Sequence, residues 1–287
     1  MTNKYQQVFD SFKAALSTEQ IQSEIEKILS EEFEKNNTIE VKKFLHGTID
    51  LTSLNGADTE ESIAKFVSQV NDFDGTDPTV PSVAAICVYP NFVKTVKDTL
   101  TTEDVRIACV SGCFPASQSF IEVKLAETAL AVKDGADEID IVLNMGKFFA
   151  EDYEETSTEI EEQKATCREA HLKVILETGA LKTPELIRKA SILALYSGAD
   201  FLKTSTGKEY PGASLEAAYV MCQVLKEYHD KHGHVRGLKV SGGIRTAEEA
   251  VKYYCLVKSI LGEEWLTPEY FRIGASSLVA NLQKEIL

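Results

Sequence analysis

The chain has 287 residues, of which 44% are hydrophobic and 26% charged, so it can form one large domain or two small ones with a substantial core. The formal net charge of −15 argues against nucleic acid and anionic membranes as partners, because both need a basic surface. No apolar run reaches the length of a membrane span, and the N-terminus lacks the hydrophobic core of a signal peptide. Six irregularly spaced cysteines favour free thiols in a reducing compartment, so we expect a cytoplasmic protein.

The first 40 residues have the apolar spacing of two helices. The stretch Ser17-Thr18-Glu19-Gln20 is a capping box and predicts the start of the second helix. The first helix is predicted from apolar residues at helical spacing, which are Tyr5, Val8, Phe9, Phe12, Ala15 and Leu16. No linker rich in glycine or proline follows, so residues 1–45 are expected to form a helical extension packed on a main domain of residues 46–287.

From about residue 46, short apolar runs alternate with amphipathic helical patterns. This alternation predicts parallel strands, each followed by a helix. The predicted strands are residues 47–51, 83–88, 105–110, 138–143, 172–176, 199–202, 235–240 and 270–273. Eight such units in about 240 residues are typical of a (β/α)8 TIM barrel. A doubly wound open sheet is the alternative, but the first strand lacks the Gly-x-Gly-x-x-Gly turn usual there.

Several helix starts are visible between the strands. Thr59 and Thr246 each precede acidic residues in the manner of a helix cap, and Pro184 after Thr183 occupies a first helical position. The last helix is expected to begin near Ala275.

Two lysines at the ends of neighbouring strands are the main candidates for chemistry. Lys203 closes the sixth strand and Lys239 lies in the seventh, both within apolar segments. A lysine acts as a nucleophile only when it is neutral, and burial or a nearby cation lowers its pKa. Asp140 on the fourth strand could exchange protons with intermediates and hold the second lysine. The alternative is that both lysines are solvated residues of loops.

The turns after the last three strands form a candidate site for an anion. Gly242 and Gly243 let the backbone approach a phosphate, and Gly274 opens a similar turn before the last helix. Gly207 and Lys208 add a contact after the sixth strand. In TIM barrels, the loops after strands seven and eight commonly bind phosphate. A phosphorylated small molecule is therefore the expected ligand.

The segment Phe201-Leu202-Lys203-Thr204-Ser205-Thr206-Gly207 resembles the Schiff-base signature of the deoxyribose-phosphate aldolase family, which are class I aldolases. The resemblance extends over roughly residues 45 to 283. Further matching stretches are residues 49–52, 84–90, 135–140, 172–179, 237–245 and 272–278. Together these motifs are specific to the family, and the extension before residue 45 has no counterpart in a minimal barrel of this kind.

The resemblance implies that Lys203 forms the Schiff base and that Lys239 and Asp140 form its proton-transfer group. It further implies a set of residues that bind the substrate or line the site, namely Asp50, Thr52, Cys87, Thr206, Gly207, Lys208, Gly242, Gly243, Gly274, Ser276 and Ser277. The implied reaction is the reversible cleavage of 2-deoxy-D-ribose 5-phosphate to D-glyceraldehyde 3-phosphate and acetaldehyde. No metal or organic cofactor is implied, and the implied role is in deoxyribonucleotide catabolism.

Other interpretations remain open on the sequence. A barrel that binds a phosphosugar could serve as a scaffold, or a Schiff-base barrel could act on a different sugar phosphate. A metal site at His229, His232 and His234 is disfavoured, because these residues lie at the polar end of a helix with only Asp230 as a nearby carboxylate. The sequence does not set the oligomeric state, and a homodimer is kept as an expectation.

Overall fold

The computed structural model describes residues 4–287 and is built around a closed barrel of eight parallel strands, in the order β1 to β8. The barrel closes where β1 pairs with β8. This confirms the predicted (β/α)8 TIM barrel and excludes an open sheet. The strands are β1 (Ile49–Thr52), β2 (Ala85–Val88), β3 (Arg106–Val110), β4 (Glu138–Val142), β5 (His171–Ile175), β6 (Phe201–Lys203), β7 (Gly237–Ser241) and β8 (Phe271–Ala275).

Ten α-helices follow residue 59 and cover the outside of the barrel. They are α4 (Glu60–Phe73), α5 (Val93–Thr99), α6 (Ile121–Asp134), α7 (Met145–Phe149), α8 (Tyr153–Cys167), α9 (Thr178–Leu181), α10 (Pro184–Tyr196), α11 (Leu215–His232), α12 (Ala247–Ile260) and α13 (Leu278–Ile286). The predicted helix starts at Thr59, Thr183 and Thr246 are confirmed, since each side chain caps its helix. The last helix begins at Leu278. The prediction near Ala275 was wrong, because β8 continues through that residue.

Three helices precede the barrel, where two were predicted. They are α1 (Lys4–Asp10), α2 (Thr18–Asn36) and α3 (Ile39–His46). The predicted first helix was too long, because regular helix ends at Asp10 and the apolar residues after it lie in an irregular segment. The capping box at Ser17 is confirmed.

These three helices pack on the outer helices of the barrel. α1 contacts α10, α2 contacts α11 and α12, and α3 contacts α12 and α13. Phe9 and Ile21 are buried in these contacts, and Arg188 on α10 donates a hydrogen bond to the carbonyl oxygen of Phe9. None of the helices within residues 4–287 is both long enough and apolar enough to cross a bilayer.

The main hydrophobic core lies between the barrel wall and the surrounding helices. A smaller apolar cluster that includes Ala85, Cys87, Ala108 and Val110 forms from inward-facing positions of β2 and β3. Because successive strand residues point to opposite faces, every second residue of a barrel strand faces the interior. In β4 to β8, several of these interior positions hold charged residues, and they form the floor of the candidate site.

Candidate active site

Seven charged side chains meet inside the barrel, and we call them the buried ionic cluster. Each is at most 4% exposed, and each comes from an interior-facing strand position. The members are Asp50 on β1, Glu138 and Asp140 on β4, Lys173 on β5, Lys203 on β6, Lys239 on β7 and Arg272 on β8. Charges buried this deeply are stable only when they are paired, so the contacts among the seven determine which of them stay ionised.

Asp140 is the centre of the cluster and contacts three lysines. Lys203 Nζ donates to Oδ2 of Asp140 at 2.7 Å, and Lys239 Nζ donates to the same oxygen at 2.8 Å. Lys173 Nζ donates to Oδ1 at 3.0 Å. The lysines reach one carboxylate because Lys203 and Lys239 are direct partners in the β6–β7 register.

The other two carboxylates complete the network. Oδ2 of Asp50 lies 2.5 Å from Lys239 Nζ, an ion pair that is not aligned as a hydrogen bond. Arg272 donates to Oδ1 of Asp50 at 2.7 Å and to Oε1 of Glu138 at 3.0 Å. Lys173 also donates to Glu138. Lys173, Lys239 and Arg272 are therefore each shared between two carboxylates.

The number of charges in the cluster predicts that one of its amines loses its proton more easily than the others. Three carboxylates face four groups that can be cationic, so the carboxylates balance only three of them. Near the cluster, Arg106 lies 3.8 Å from Glu138, but it is half-buried and pairs with Glu269 at 2.7 Å. A surplus positive charge in a buried site is unfavourable, so one amine is expected to have a lowered pKa.

The pKa shifts within the cluster agree with this balance. Burial lowers the pKa of Lys203, the Asp140 carboxylate opposes this effect, and the Lys239 ammonium adds to it, so the pKa lies below the ordinary lysine value. Burial also lowers the pKa of Lys239, but attraction to Asp140 and Asp50 outweighs it and holds that pKa well above the ordinary value. The pKa of Lys173 is raised in the same way, since its carboxylate partners outweigh burial.

The carboxylates stay ionised for the complementary reason. Burial raises the pKa of Asp140, yet the charges of Lys173, Lys203 and Lys239 outweigh it, and the pKa lies well below the usual range. The pKa of Asp50 is lowered too, because Lys239, Arg272 and Lys173 overcome the effect of burial. Lys203 is thus the one cluster amine whose pKa shifts toward the neutral form.

A cleft of about 300 Å³ opens above the cluster at the carboxyl ends of the strands. Of the seven cluster members, only Lys203 lines this cleft, and the other six lie beneath it. The predicted substrate residues that line the cleft are Thr52, Thr206, Gly207, Lys208, Gly242, Gly243, Gly274, Ser276 and Ser277. Most of the residues predicted from the sequence therefore surround one cleft, and Lys203 lies at the floor of that cleft.

Two of the remaining predicted residues lie deeper in the barrel than the cleft itself. Asp50 and Cys87 have no exposed surface and do not line the cleft. Burial raises the pKa of the Cys87 thiol. Asp50 instead supports Lys239 and Arg272, so the structure assigns it to the layer beneath the cleft.

The wall formed by β7 and β8 has the features of an anion site. Gly242 and Gly243 have φ values of +89° and +88°, in the left-handed region that favours glycine. Ser277 precedes α13 and makes no side-chain cap, so the first amides of that helix are available beside the cleft. Arg245 also lines the cleft and adds a cation that the predicted residue set did not include.

Three further residues were missed by the sequence prediction, namely Glu138, Lys173 and Arg272. Glu138 and Arg272 each lie two positions before a predicted residue, and Lys173 lies two positions before the last residue of β5. Because side chains alternate along a strand, all three face the barrel interior, one layer below the residues that follow them. A charged residue inside the apolar run Leu172-Lys173-Val174-Ile175 was the available signal. The period of two identifies such residues only after the strand bounds are known.

The histidines near the end of α11 do not form a group of metal ligands. His232 pairs through Nε2 with the hydroxyl of Tyr196 at 2.9 Å, and His229 packs edge-on against Trp265. Over residues 4–287, no three histidine, cysteine, aspartate or glutamate side chains converge in the manner of metal ligands. All six cysteines are free thiols, and five of them are buried.

A closed parallel barrel with a lysine and a basic cleft at the carboxyl ends of its strands defines the class of TIM-barrel enzymes. Within this class, the sequence model described as DeoC/LacD family aldolase matches residues 45–284. The chain belongs to this aldolase family, and the predicted resemblance is confirmed. Membership makes it a carbon–carbon lyase.

Two mammalian proteins similar to this chain support the family assignment. The chain is 40% identical over 248 residues to the deoxyribose-phosphate aldolase of Mus musculus, an alignment that covers 83% of this chain and 78% of that one. It is also 40% identical over 252 residues to the deoxyribose-phosphate aldolase of Homo sapiens, with the same shares covered.

Solved structures show the same architecture. One titled "QR15, an Aldolase" is 30% identical with a TM-score of 0.68, and the match covers 84% of this chain and 96% of that one. The deoxyribose phosphate aldolase of Aeropyrum pernix, whose title describes a unique tetrameric structure, has a TM-score of 0.68 at 24% identity. That match covers 90% of this chain and 96% of the other, and it supports the fold alone.

Proposed function

We propose that the chain cleaves 2-deoxy-D-ribose 5-phosphate reversibly to D-glyceraldehyde 3-phosphate and acetaldehyde, with Lys203 as the nucleophile. The observation that carries this proposal is the position of Lys203. It lines the cleft, it is the surplus amine of the buried ionic cluster, and its pKa is lowered by burial and by Lys239. The mammalian relatives named above carry this activity in their names.

The first chemical step is the formation of an iminium. The neutral amine of Lys203 attacks the C1 aldehyde of the open-chain sugar and forms a carbinolamine. Loss of water from the carbinolamine then gives the iminium. Asp140 lies within hydrogen-bonding distance of both Lys203 and Lys239. Asp140 and Lys239 transfer, through water, the protons that these steps need.

The iminium then serves as the electron sink for cleavage. The C3 hydroxyl loses its proton, the C2–C3 bond breaks, and its electron pair moves into an enamine on Lys203. D-Glyceraldehyde 3-phosphate leaves, the enamine takes a proton, and hydrolysis releases acetaldehyde and the free amine. The sequence of steps balances without a metal or an organic cofactor, because the protonated imine itself accepts the electrons.

The basic wall of the cleft supports the proposal that the 5-phosphate binds there. Glycine backbone at Gly242 and Gly243 and the N-terminus of α13 can present amides to a phosphate, and Lys208 and Arg245 supply positive charge. Lys208 Nζ donates to the carbonyl oxygen of Leu54, a contact that a phosphate could replace. Anchoring the far end of the sugar orients C1 toward Lys203 and favours reaction through proximity.

Borohydride trapping tests the proposed function directly. Treatment with 2-deoxyribose 5-phosphate and borohydride should add the mass of the reduced sugar or acetaldehyde adduct to Lys203, as located by peptide mass spectrometry. Lys203→Leu should show no adduct and no turnover. A folded wild-type chain without an adduct would contradict the enzyme proposal, and an adduct formed only with other sugar phosphates would favour a different substrate.

A phosphosugar-binding scaffold is the weaker alternative, because it gives no role to a lysine with a lowered pKa. We further propose that residues 1–45 form an extension packed on the barrel of residues 46–287, in the cytoplasm, and that the reaction serves deoxyribonucleotide catabolism. The contacts of α1 to α3 with the outer helices support the extension, and free thiols suit a reducing compartment. The homodimer stays a prediction that sedimentation of the full chain can test.

A further inference from the structure

Glu177 is a buried carboxylate two residues after β5, immediately before α9, and it is not part of the ionic cluster. It is 1% exposed, and its backbone has φ 55° and ψ 61°, a left-handed conformation that non-glycine residues seldom adopt. Burial raises the pKa of this carboxyl, and hydrogen bonds from Thr206 oppose the rise. Burying a carboxylate is unfavourable unless it accepts hydrogen bonds, so Glu177 needs nearby donors.

Both partners of the carboxylate belong to one residue of the neighbouring turn. The amide of Thr206 donates to Oε1 of Glu177 at 3.2 Å, and the Thr206 hydroxyl donates to Oε2 at 2.5 Å. The same hydroxyl oxygen accepts a hydrogen bond from the amide of Lys208 at 3.2 Å. The hydroxyl of Thr206 thus donates to Glu177 while it accepts from the turn.

The turns after β5 and β6 are also joined through the backbone. The amide of Thr178 donates to the carbonyl oxygen of Thr204 at 2.9 Å. Gly179 lies so close to Pro211 that an added Cβ would stand 2.3 Å from the carbonyl oxygen of Pro211. The segment that carries Glu177 therefore lies directly against the turn that carries Lys208.

We propose that Glu177 is a positioning residue that holds the Thr206–Lys208 turn in the shape that receives the phosphate of the substrate. This inference rests on the proposed function and names a residue beyond those implied by the family resemblance. Glu177 lies behind the turn rather than in the cleft, so it acts through Thr206 and not by contact with the substrate.

Glu177→Gln tests this role because it keeps the size of the side chain but leaves one acceptor in place of two. The KM for 2-deoxyribose 5-phosphate should rise about tenfold, the effect of losing one charge-assisted hydrogen bond. The kcat should stay within about threefold, and so should kcat/KM for 2-deoxyribose, which has no phosphate to bind. Inhibition by inorganic phosphate should weaken in parallel with the KM.

The direction of the change separates positioning from a simple charge effect. Removing a negative charge near an anion site should by itself strengthen phosphate binding. Weaker binding in Glu177→Gln therefore requires a change in the shape of the turn. Glu209→Gln is the matched control, because Glu209 is exposed and lies in the same loop. Its KM should stay within about twofold of the wild type.

A second variant keeps the inference testable if Glu177→Gln does not fold. Thr206→Val removes the hydroxyl that Glu177 binds, and it should raise the KM for the phosphorylated substrate by a similar factor. The KM of the double variant should be no higher than the KM of the more impaired single variant, because both changes break the same contact between Glu177 and Thr206. Additive effects, an unchanged KM, or an equal loss with both sugars would overturn the role of Glu177. A wild-type chain without a Lys203 adduct would instead contradict the proposed function.

Discussion

Lys203 and Lys239 are direct partners on β6 and β7, and their side chains donate to the same carboxylate oxygen. The oxygen is Oδ2 of Asp140, yet the two pKa values move in opposite directions. The difference arises because Lys239 also pairs with Asp50, at 2.5 Å, whereas Lys203 has Asp140 alone and faces the cleft. The second carboxylate therefore decides which lysine stays charged and which becomes the nucleophile.

Replacing Lys239 with methionine should leave Lys173, Arg272 and Lys203 as the cations of the buried ionic cluster. Lys203 then completes the charge balance, so its pKa should rise toward or above the ordinary value. We expect kcat/KM at pH 7 to fall at least about a hundredfold, because both the neutral nucleophile and a proton-transfer group are lost. The pH profile of borohydride trapping on Lys203 measures the first effect directly.

Lys226→Met is a suitable control for that experiment, because Lys226 is a partly exposed lysine of α11 that pairs with Asp230 on the same helix. It should leave both kcat/KM and the trapping profile unchanged. If the trapping profile of Lys239→Met also stays where it is in the wild type, Lys239 does not set the pKa of Lys203.

Two variants of the cluster should differ sharply in stability. Lys203→Leu removes the surplus amine, and Lys239 and Lys173 still hold Asp140, so the free energy of unfolding should change by less than about 1 kcal/mol. Lys173→Met removes a partner shared by Glu138 and Asp140, and it should cost about 3–5 kcal/mol. Urea unfolding at pH 7 measures both, and similar losses in the two variants would contradict the charge balance.

Sequence patterns identified the barrel and the lysines for physical reasons. Strand–helix alternation follows from local burial and capping, so the eight units and the caps at Thr59 and Thr246 were predictable. Lys203 and Lys239 stood out because a lysine in an apolar strand needs an explanation.

What the sequence could not supply was the layer beneath the cleft. Arg272 contacts Asp50, 222 positions away in the chain, and only the closure of β8 onto β1 brings them together. The roles of Asp50 and of the Thr206 hydroxyl likewise depend on which neighbour each one meets across strands. Contacts between distant strands set these partners, and no local pattern records them.

The lowered pKa of Lys203 predicts a pH dependence of stability that Lys203→Leu should lack. Between the folded pKa and the unfolded value of about 10.4, the unfolded chain carries a proton on this amine that the folded chain does not. The free energy of unfolding of the wild type should therefore rise with pH relative to the variant in this window. Below the folded pKa both states are protonated, and the difference should be constant.

Urea unfolding of both proteins at several pH values from 6 to 10 would check this, because the other titrating groups are shared and largely cancel in the difference. A wild type that loses stability relative to Lys203→Leu as the pH rises would show a raised pKa, contrary to the geometry.

The absence of a side chain at Gly274 should be needed for the position of Lys239 as well as for phosphate binding in the cleft. A Cβ at Gly274 would lie 2.9 Å from Cβ of Ser241 and 3.1 Å from Cε of Lys239, so Gly274→Ala must shift Ser241 and push the Lys239 side chain by a few tenths of an ångström. We expect a loss of about 1–3 kcal/mol in the free energy of unfolding from overpacking. The kcat should fall by about tenfold or more, because small displacements of catalytic groups are costly. Gly56→Ala is the matched control, since a Cβ there meets nothing within 4 Å. A Gly274→Ala enzyme with normal kcat and only a raised KM would show that the glycine serves the phosphate alone.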